Sequence, residues 1–256
     1  MNLFSNLIAR LPILLISLPI VLLSLSVHEL SHGYIALRLG DPTARNMGRL
    51  TLNPIKHIDL IGFICMLLFH FGWANPVPIN TRHFKNPRRD MALTGAAGPV
   101  SNLLLAVVFA VLLRLSLLLA TGFFDTDLGT IFRAAVTQSA IAVSQGFTVL
   151  AIVVYMLYLG IIINLSYALF NLLPIPPLDG SRIFYIFLPV KWYFAVMKYE
   201  RIIALVMLIG LWTGYLAIPL EWVVSGLEQG LCWITGIRGE AGNALSLISY
   251  YIGSML

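Results

Sequence analysis

His28-Glu29-Leu30-Ser31-His32 is the stretch whose residue types and spacing most directly imply chemistry. On a helix, residues four apart lie one above the other on one face. His28 and His32 can therefore offer two imidazole nitrogens to one zinc ion. Glu29 lies about 100° further round the helix, beside the open side of such a metal, where its carboxylate can take a proton from metal-bound water. The plainer explanation is a set of polar residues ending a helix. It is weakened by the surroundings, because ionisable residues within an apolar run long enough to span a bilayer need partners or a function. The two histidines stand seven and eleven residues before Leu39, so at helical rise the metal would sit roughly 10–16 Å inside that end of the helix.

A catalytic zinc takes three protein ligands and keeps one position open. The third ligand must come from another polar residue at similar depth, and Asp179 is the strongest of few candidates. It follows a long apolar run in Asn171-Leu172-Leu173-Pro174-Ile175-Pro176-Pro177-Leu178-Asp179-Gly180. Three prolines break a helix there and Gly180 permits a tight turn. Broken backbone at membrane depth is tolerated where it is buried in protein or lines a cavity. The competing role for Asp179 is a cap on the next segment.

The elements that must position these residues are apolar. Of 256 residues 59% are hydrophobic and 11% charged, against roughly 25% charged in soluble domains. Long apolar runs cover about 11–37, 91–121, 139–173 and 202–220, each near the length needed to span a bilayer. Of two weaker stretches, 58–71 reads as a re-entrant or interfacial piece, and 231–256, amphipathic and Gly-rich, could lie in the interface or span poorly. The fold expected is an all-α polytopic membrane protein with about four to six transmembrane helices and a short re-entrant or strand-like element after the first span. Residues 1–256 form one membrane-embedded domain, with a catalytic core at about 11–201 and a membrane-associated region at 202–256.

The net charge of +5 is distributed between the apolar runs. It speaks for membrane orientation rather than for a compact nucleic-acid face, and no nucleic-acid partner is expected. Arg38, Arg45, Arg49, Lys56, Arg82, Lys85, Arg88 and Arg89 fall in one inter-span segment, and Arg182, Lys191, Lys198 and Arg201 in another. Both segments are expected in the cytoplasm, against Arg10 and Arg133 on the other side, which places the active site toward the cytoplasmic face of a multi-pass plasma-membrane protein. Arg10 followed by an apolar stretch and Ser24-Leu25-Ser26 imitates a cleavable signal, but the helical pattern runs on unbroken to Gly40-Asp41-Pro42. Cys65 and Cys232 are isolated and read as buried thiols.

At the two motifs the chain resembles the site-2 protease family of intramembrane metalloproteases. The likeness rests on His28-Glu29-Leu30-Ser31-His32-Gly33 and on Asn171 through Gly180. Gly98-Pro99-Val100-Ser101-Asn102 resembles a further family element. The stretches from Gly48 to Asp59 and from Phe71 to Pro78 resemble a compact prokaryotic branch. The resemblance implies one zinc ion per chain held by His28, His32 and Asp179, with Glu29 as catalytic acid and base. It also implies transmembrane proteins or peptides as substrates, met in the lipid bilayer.

Other residues have more open roles. Asn171 is a candidate oxyanion donor, or it satisfies broken backbone. His57 is a candidate for supporting the site from behind the ligands. Met47 to Asn53 alternates like a strand, so Leu50, Thr51 and Leu52 could pair with an unwound substrate; an ordinary loop is the alternative. Ser31, Asn102, Asn164, Ser166 and Tyr167 could line a water entry or make interhelical hydrogen bonds. A metal transporter or sensor, and a non-catalytic relative that binds transmembrane helices, compete with the protease reading. The single cluster without internal repeats opposes the transporter, and an intact Glu29 opposes the silent binder. Oligomeric state is left open.

Overall fold

The structure, a computed structural model, describes residues 3–69, 74–124 and 148–237. Within them nine α-helices follow one another: α1 (Leu3–Arg38), α2 (Thr43–Asn46), α3 (Leu60–Phe69), α4 (Pro87–Phe124), α5 (Thr148–Leu172), α6 (Asp179–Phe184), α7 (Val190–Met197), α8 (Glu200–Trp212) and α9 (Ala217–Ile234). Short 3-10 turns occupy Pro54–Lys56 and Thr81–His83. Among the described residues three helices are long and apolar enough to cross a membrane: Leu15–Arg38, Pro87–Leu119 and Ile152–Leu172. The outer side of α4 fits that role, with Leu104, Val107, Val111, Leu115, Leu118 and Leu119 all exposed. An apolar surface of this extent is costly in water and suited to lipid.

Two expectations change, those at 202–220 and at 47–53, while the stretch at 58–71 stays too short to cross. The apolar run at 202–220 is two helices. α8 ends at Trp212, and Gly214 turns the chain at φ +80° before α9 begins. The 13 residues of α8 reach only about 20 Å at helical rise, short of a hydrocarbon core. The stretch at 58–71 carries the ten-residue α3, also too short to cross; His70 and residues 71–73 lie outside the described residues. Finally, 47–53 forms no strand. Gly48 takes φ +64°, the Arg49 N–H bonds back to the Ala44 carbonyl, and Asn53 caps the turn at Pro54–Lys56 through its side chain. The described residues contain one isolated antiparallel bridge, Ile58 with Ala74, and no named strand. The beginning of the expected third span, the acidic and basic residues Asp125, Asp127 and Arg133, and the stretch after Ile237 lie outside the described residues.

The packing divides into two units, one drawn from Met1–Val21, Leu105–Leu165 and Val223–Met255, the other from Leu22–Leu104 and Ser166–Trp222. The first has an apolar core that includes Phe109, Leu113 and Leu117 of α4 with Val154, Tyr158 and Ile161 of α5. A Cβ on Gly160 would meet the Phe109 ring at 2.6 Å, so this glycine allows close helix contact. Cys232 is buried in this unit and Cys65 is half-buried in the other; both are free thiols. The second unit buries Ala36, Ala44, Val77, Phe84 and Ala92, but also His28, Glu29, His32, Asp41, Asp90, Asn102 and Asp179. Buried charge on this scale must be paired or coordinated.

Asp41 is the structural member of that polar set. It is fully buried just past the end of α1. Its carboxylate accepts from the Thr43 N–H and hydroxyl, from the Asn80 N–H at 2.6 Å, and pairs with His83 Nδ1 at 3.0 Å. Burial alone would push its pKa up; the hydrogen bonds from Thr43, Asn80 and His83 outweigh it and hold the carboxyl below its ordinary value. A folded pKa below the unfolded one adds stability above the unfolded value of about 4, and that stability is lost as pH falls through the folded pKa. Asp41→Asn sets an amide NH₂ against donors. It is expected to cost about 1–3 kcal/mol at pH 7 and to flatten the acid limb, as read by unfolding midpoints of both proteins at pH 7 and pH 4.

Candidate active site

α1 carries His28 and His32 one turn apart, with ring centroids 4.6 Å apart and planes at 82°. The outer nitrogens are both engaged. His28 Nδ1 lies 2.6 Å from Asn102 Oδ1 on α4, and His32 Nδ1 lies 2.7 Å from the Thr94 carbonyl, two turns earlier on the same helix. Asn102 Nδ2 reaches the Ser24 carbonyl at 3.4 Å, which sets Oδ1 as the atom facing His28. Each partner is an acceptor, so each Nδ1 carries the proton and each Nε2 presents a lone pair. The two Nε2 atoms lie 3.0 Å apart.

Asp179 completes the cluster. α5 ends at Leu172 because the prolines that follow cannot continue it. The chain then doubles back, and α6 opens on Asp179. A Cβ on Gly180 would come within 2.3 Å of the Leu172 and Leu173 carbonyls, so only glycine permits this fold-back. Asp179 Oδ2 lies 3.1 Å from both Nε2 atoms. Its other oxygen faces Arg182 at 3.8 Å.

The three ligand atoms lie within 4.8 Å of one another and all three residues are buried. Nitrogen and carboxylate ligands at about 2.0–2.2 Å around a tetrahedral zinc lie about 3.3 Å apart, close to the separations found. The floor of the cluster is Gly98 of α4. A Cβ there would stand 2.4 Å from His32 Nε2, 2.5 Å from His28 Cε1 and 2.6 Å from His28 Nε2. The donor set, the oriented tautomers and the space kept by Gly98 fit a zinc ion.

Glu29 stays out of the ligand set. Its Oε2 accepts the Val77 backbone N–H at 2.8 Å, which leaves Oε1 available. The segment bearing Val77 is held from two sides: the Asn75 N–H donates to the His57 carbonyl at 2.8 Å, and Arg49 Nη2 reaches the Asn75 and Pro76 carbonyls.

The structure thus brings His28, Glu29, His32 and Asp179 together. Asn171 donates to the Tyr167 carbonyl of its own helix at 3.0 Å. His57 is buried and its Nε2 pairs with the Thr51 carbonyl, so it ties 51–57 to the segment that reaches Glu29. Leu50 packs against α1 where Gly33 leaves room, its Cδ2 2.6 Å from where a Cβ would sit. Ser31 and Asn164 bond to carbonyls of their own helices. The parts played by Thr94, Gly98 and Val77 are not legible from residue type and spacing. Two act through backbone atoms, and the third through a missing side chain.

The sequence profile of peptidase family M50 matches residues 16–214. The chain belongs to peptidase family M50. That is the site-2 protease family whose motifs its sequence resembles. It is 44% identical over 158 residues to "Putative zinc metalloprotease YwhC" of Bacillus subtilis, covering 62% of each chain. It is 31% identical over 159 residues to "Putative zinc metalloprotease Rip2" of Mycolicibacterium smegmatis, covering 60% of this chain and 50% of that one. The chain therefore spans less than two thirds of the length of either curated relative. No solved structure matches it.

Proposed function

We propose that this M50 member is an intramembrane zinc metalloprotease that hydrolyses peptide bonds within or near transmembrane segments of membrane proteins. The observation that carries the reading is the meeting of His28 Nε2, His32 Nε2 and Asp179 Oδ2, with Glu29 outside that group and held by the Val77 N–H through Oε2 alone. A transporter or a silent binder has no use for a base held free at that point.

His28, His32 and Asp179 would hold the metal, each histidine oriented through its Nδ1. When bound, zinc supplies Lewis-acid polarisation of the scissile carbonyl and lowers the pKa of attacking water. The protein's own part is proton transfer. Glu29 receives the water proton on Oε1, since Oε2 is held by Val77, and delivers it to the leaving amine nitrogen. The buried setting of all four residues keeps bulk water away from these charges and strengthens each interaction.

We place the site inside the bilayer near its cytoplasmic face. His32 stands about six residues, or about 9 Å, before Arg38, the last residue of a candidate span. The inter-span segments rich in Lys and Arg support that side. In this reading the chain is one multi-pass domain of the plasma membrane, its substrates are single-span proteins or peptides, and a segment near Leu50, Thr51 and Leu52 borders the path by which they enter.

The test is a purified protein in detergent, assayed for zinc and for cleavage of a panel of single-span substrates. About one zinc per chain and cleavage that disappears on chelation and returns with added zinc are expected. Cleavage indifferent to chelation, or a protein that never holds zinc, would overturn the reading.

A further inference from the structure

Arg49 makes no ion pair with a carboxylate among the described residues, and neither does Glu29 with a basic side chain. The two are nevertheless linked. Arg49 Nη2 donates to the Asn75 carbonyl at 2.7 Å and to the Pro76 carbonyl at 3.2 Å. The Pro76 carbonyl and the Val77 N–H are the two ends of one peptide group, and that N–H donates to Glu29 Oε2 at 2.8 Å. In a trans peptide the C=O and N–H point in opposite directions. The guanidinium therefore sits at the negative end of this peptide dipole and the carboxylate at its positive end.

We propose that Arg49 is a positioning residue for Glu29, acting through the Pro76–Val77 peptide as an ion pair relayed by one amide. The proposal rests on the reading of Glu29 as proton carrier. A cation on the carbonyl withdraws electron density from the amide and makes its N–H a stronger donor, and hydrogen bonds in a chain reinforce one another in this way. A charge-assisted bond of that kind fixes one carboxylate oxygen and leaves the other aimed at the attacking water.

The local sequence is built for such a link. Pro76 and Pro78 have no N–H, so Val77 carries the only amide donor in Pro76-Val77-Pro78. Pro78 also biases Val77 toward an extended backbone. The Asn75 N–H bond to His57 and the bridge between Ile58 and Ala74 anchor the segment's start. Glu29 and Val77 are buried while Arg49 is half-buried. The relay thus brings the influence of a partly solvated cation to a carboxylate that makes no ion pair among the described residues.

The test compares wild type, Arg49→Gln, Arg49→Lys and Glu29→Gln in detergent, reading kcat, KM, zinc content and hydrogen exchange of the Val77 amide. Arg49→Gln is expected to lower kcat about 10- to 100-fold, the worth of one charge-assisted hydrogen bond, with KM and zinc content unchanged and faster Val77 exchange. Arg49→Lys keeps the charge and a donor, and is expected to restore most of the loss. Adding Arg49→Gln to Glu29→Gln is expected to speed Val77 exchange less than it does in wild type, because the anion at the other end is already gone. Unchanged kcat in Arg49→Gln would overturn the relay. So would equal losses in both Arg49 variants accompanied by lost zinc, which would make Arg49 a clamp on the fold. If wild type cleaves nothing, the proposed activity fails by itself; the exchange arm still decides, and an unchanged Val77 amide in Arg49→Gln sinks the relay.

Discussion

Glu29→Gln is expected to lower turnover by about 10²- to 10⁴-fold, the range that one general acid and base contributes, while the protein keeps its full zinc content. The asymmetry follows from the site's division of labour. The three candidate ligand atoms belong to His28, His32 and Asp179, and both imidazoles are oriented by α4 through Asn102 and Thr94. None of these contacts includes Glu29, so metal binding should not notice the change. Glutamine is close to isosteric, and its carbonyl oxygen can still accept the Val77 N–H. What it lacks is a second oxygen able to take a proton. Cleavage of a single-span substrate and metal content, measured on the same preparation, check this. Turnover within a few-fold of wild type would remove Glu29 from the reaction, and loss of zinc would make it part of the metal site.

The parts of this site legible in the sequence were those carried by side chains at helical spacing. His28, Glu29 and His32 announce themselves because four-residue spacing defines a helix face, and because apolar surroundings leave charged residues few bland roles. Asp179 was legible through its prolines, which mark a break where a ligand can leave the helix direction. Val77 was not, since its contribution is an amide hydrogen placed 48 residues from Glu29 in the chain, and every non-proline residue has one. Alternation at Met47 to Asn53 was real as a pattern, but the backbone spends its hydrogen bonds locally, through Gly48 at positive φ and the Asn53 cap. Hydropathy likewise joined α8 and α9 into one span. An apolar average does not register a glycine at φ +80°, and Gly214 sits inside the run.

Gly98→Ala is expected to strip the protein of zinc and of activity together, lowering metal affinity beyond the 10- to 100-fold typical of losing one supporting contact. The added methyl would stand 2.4–2.6 Å from three imidazole atoms, and neither ring has a cheap escape. Swinging His28 away breaks its bond to Asn102, and swinging His32 away breaks its bond to the Thr94 carbonyl. Withdrawing α4 instead would open its contact with α6, where the position of a Gly95 Cβ lies 3.1 Å from Arg182 and 3.2 Å from the Asp179 carbonyl. Relief on the histidine side therefore loosens the turn that carries the third ligand. Failure to form the helix is not the cause, because alanine favours a helix interior over glycine by about 1 kcal/mol. Gly226→Ala is the matched control: it also lies within a helix, with nothing within 4 Å of its Cβ position, and should keep zinc and cleavage at wild-type levels. Equal zinc content in Gly98→Ala and wild type would mean the two imidazoles can part without cost. The close packing of α1 on α4 would then not be what shapes the metal site.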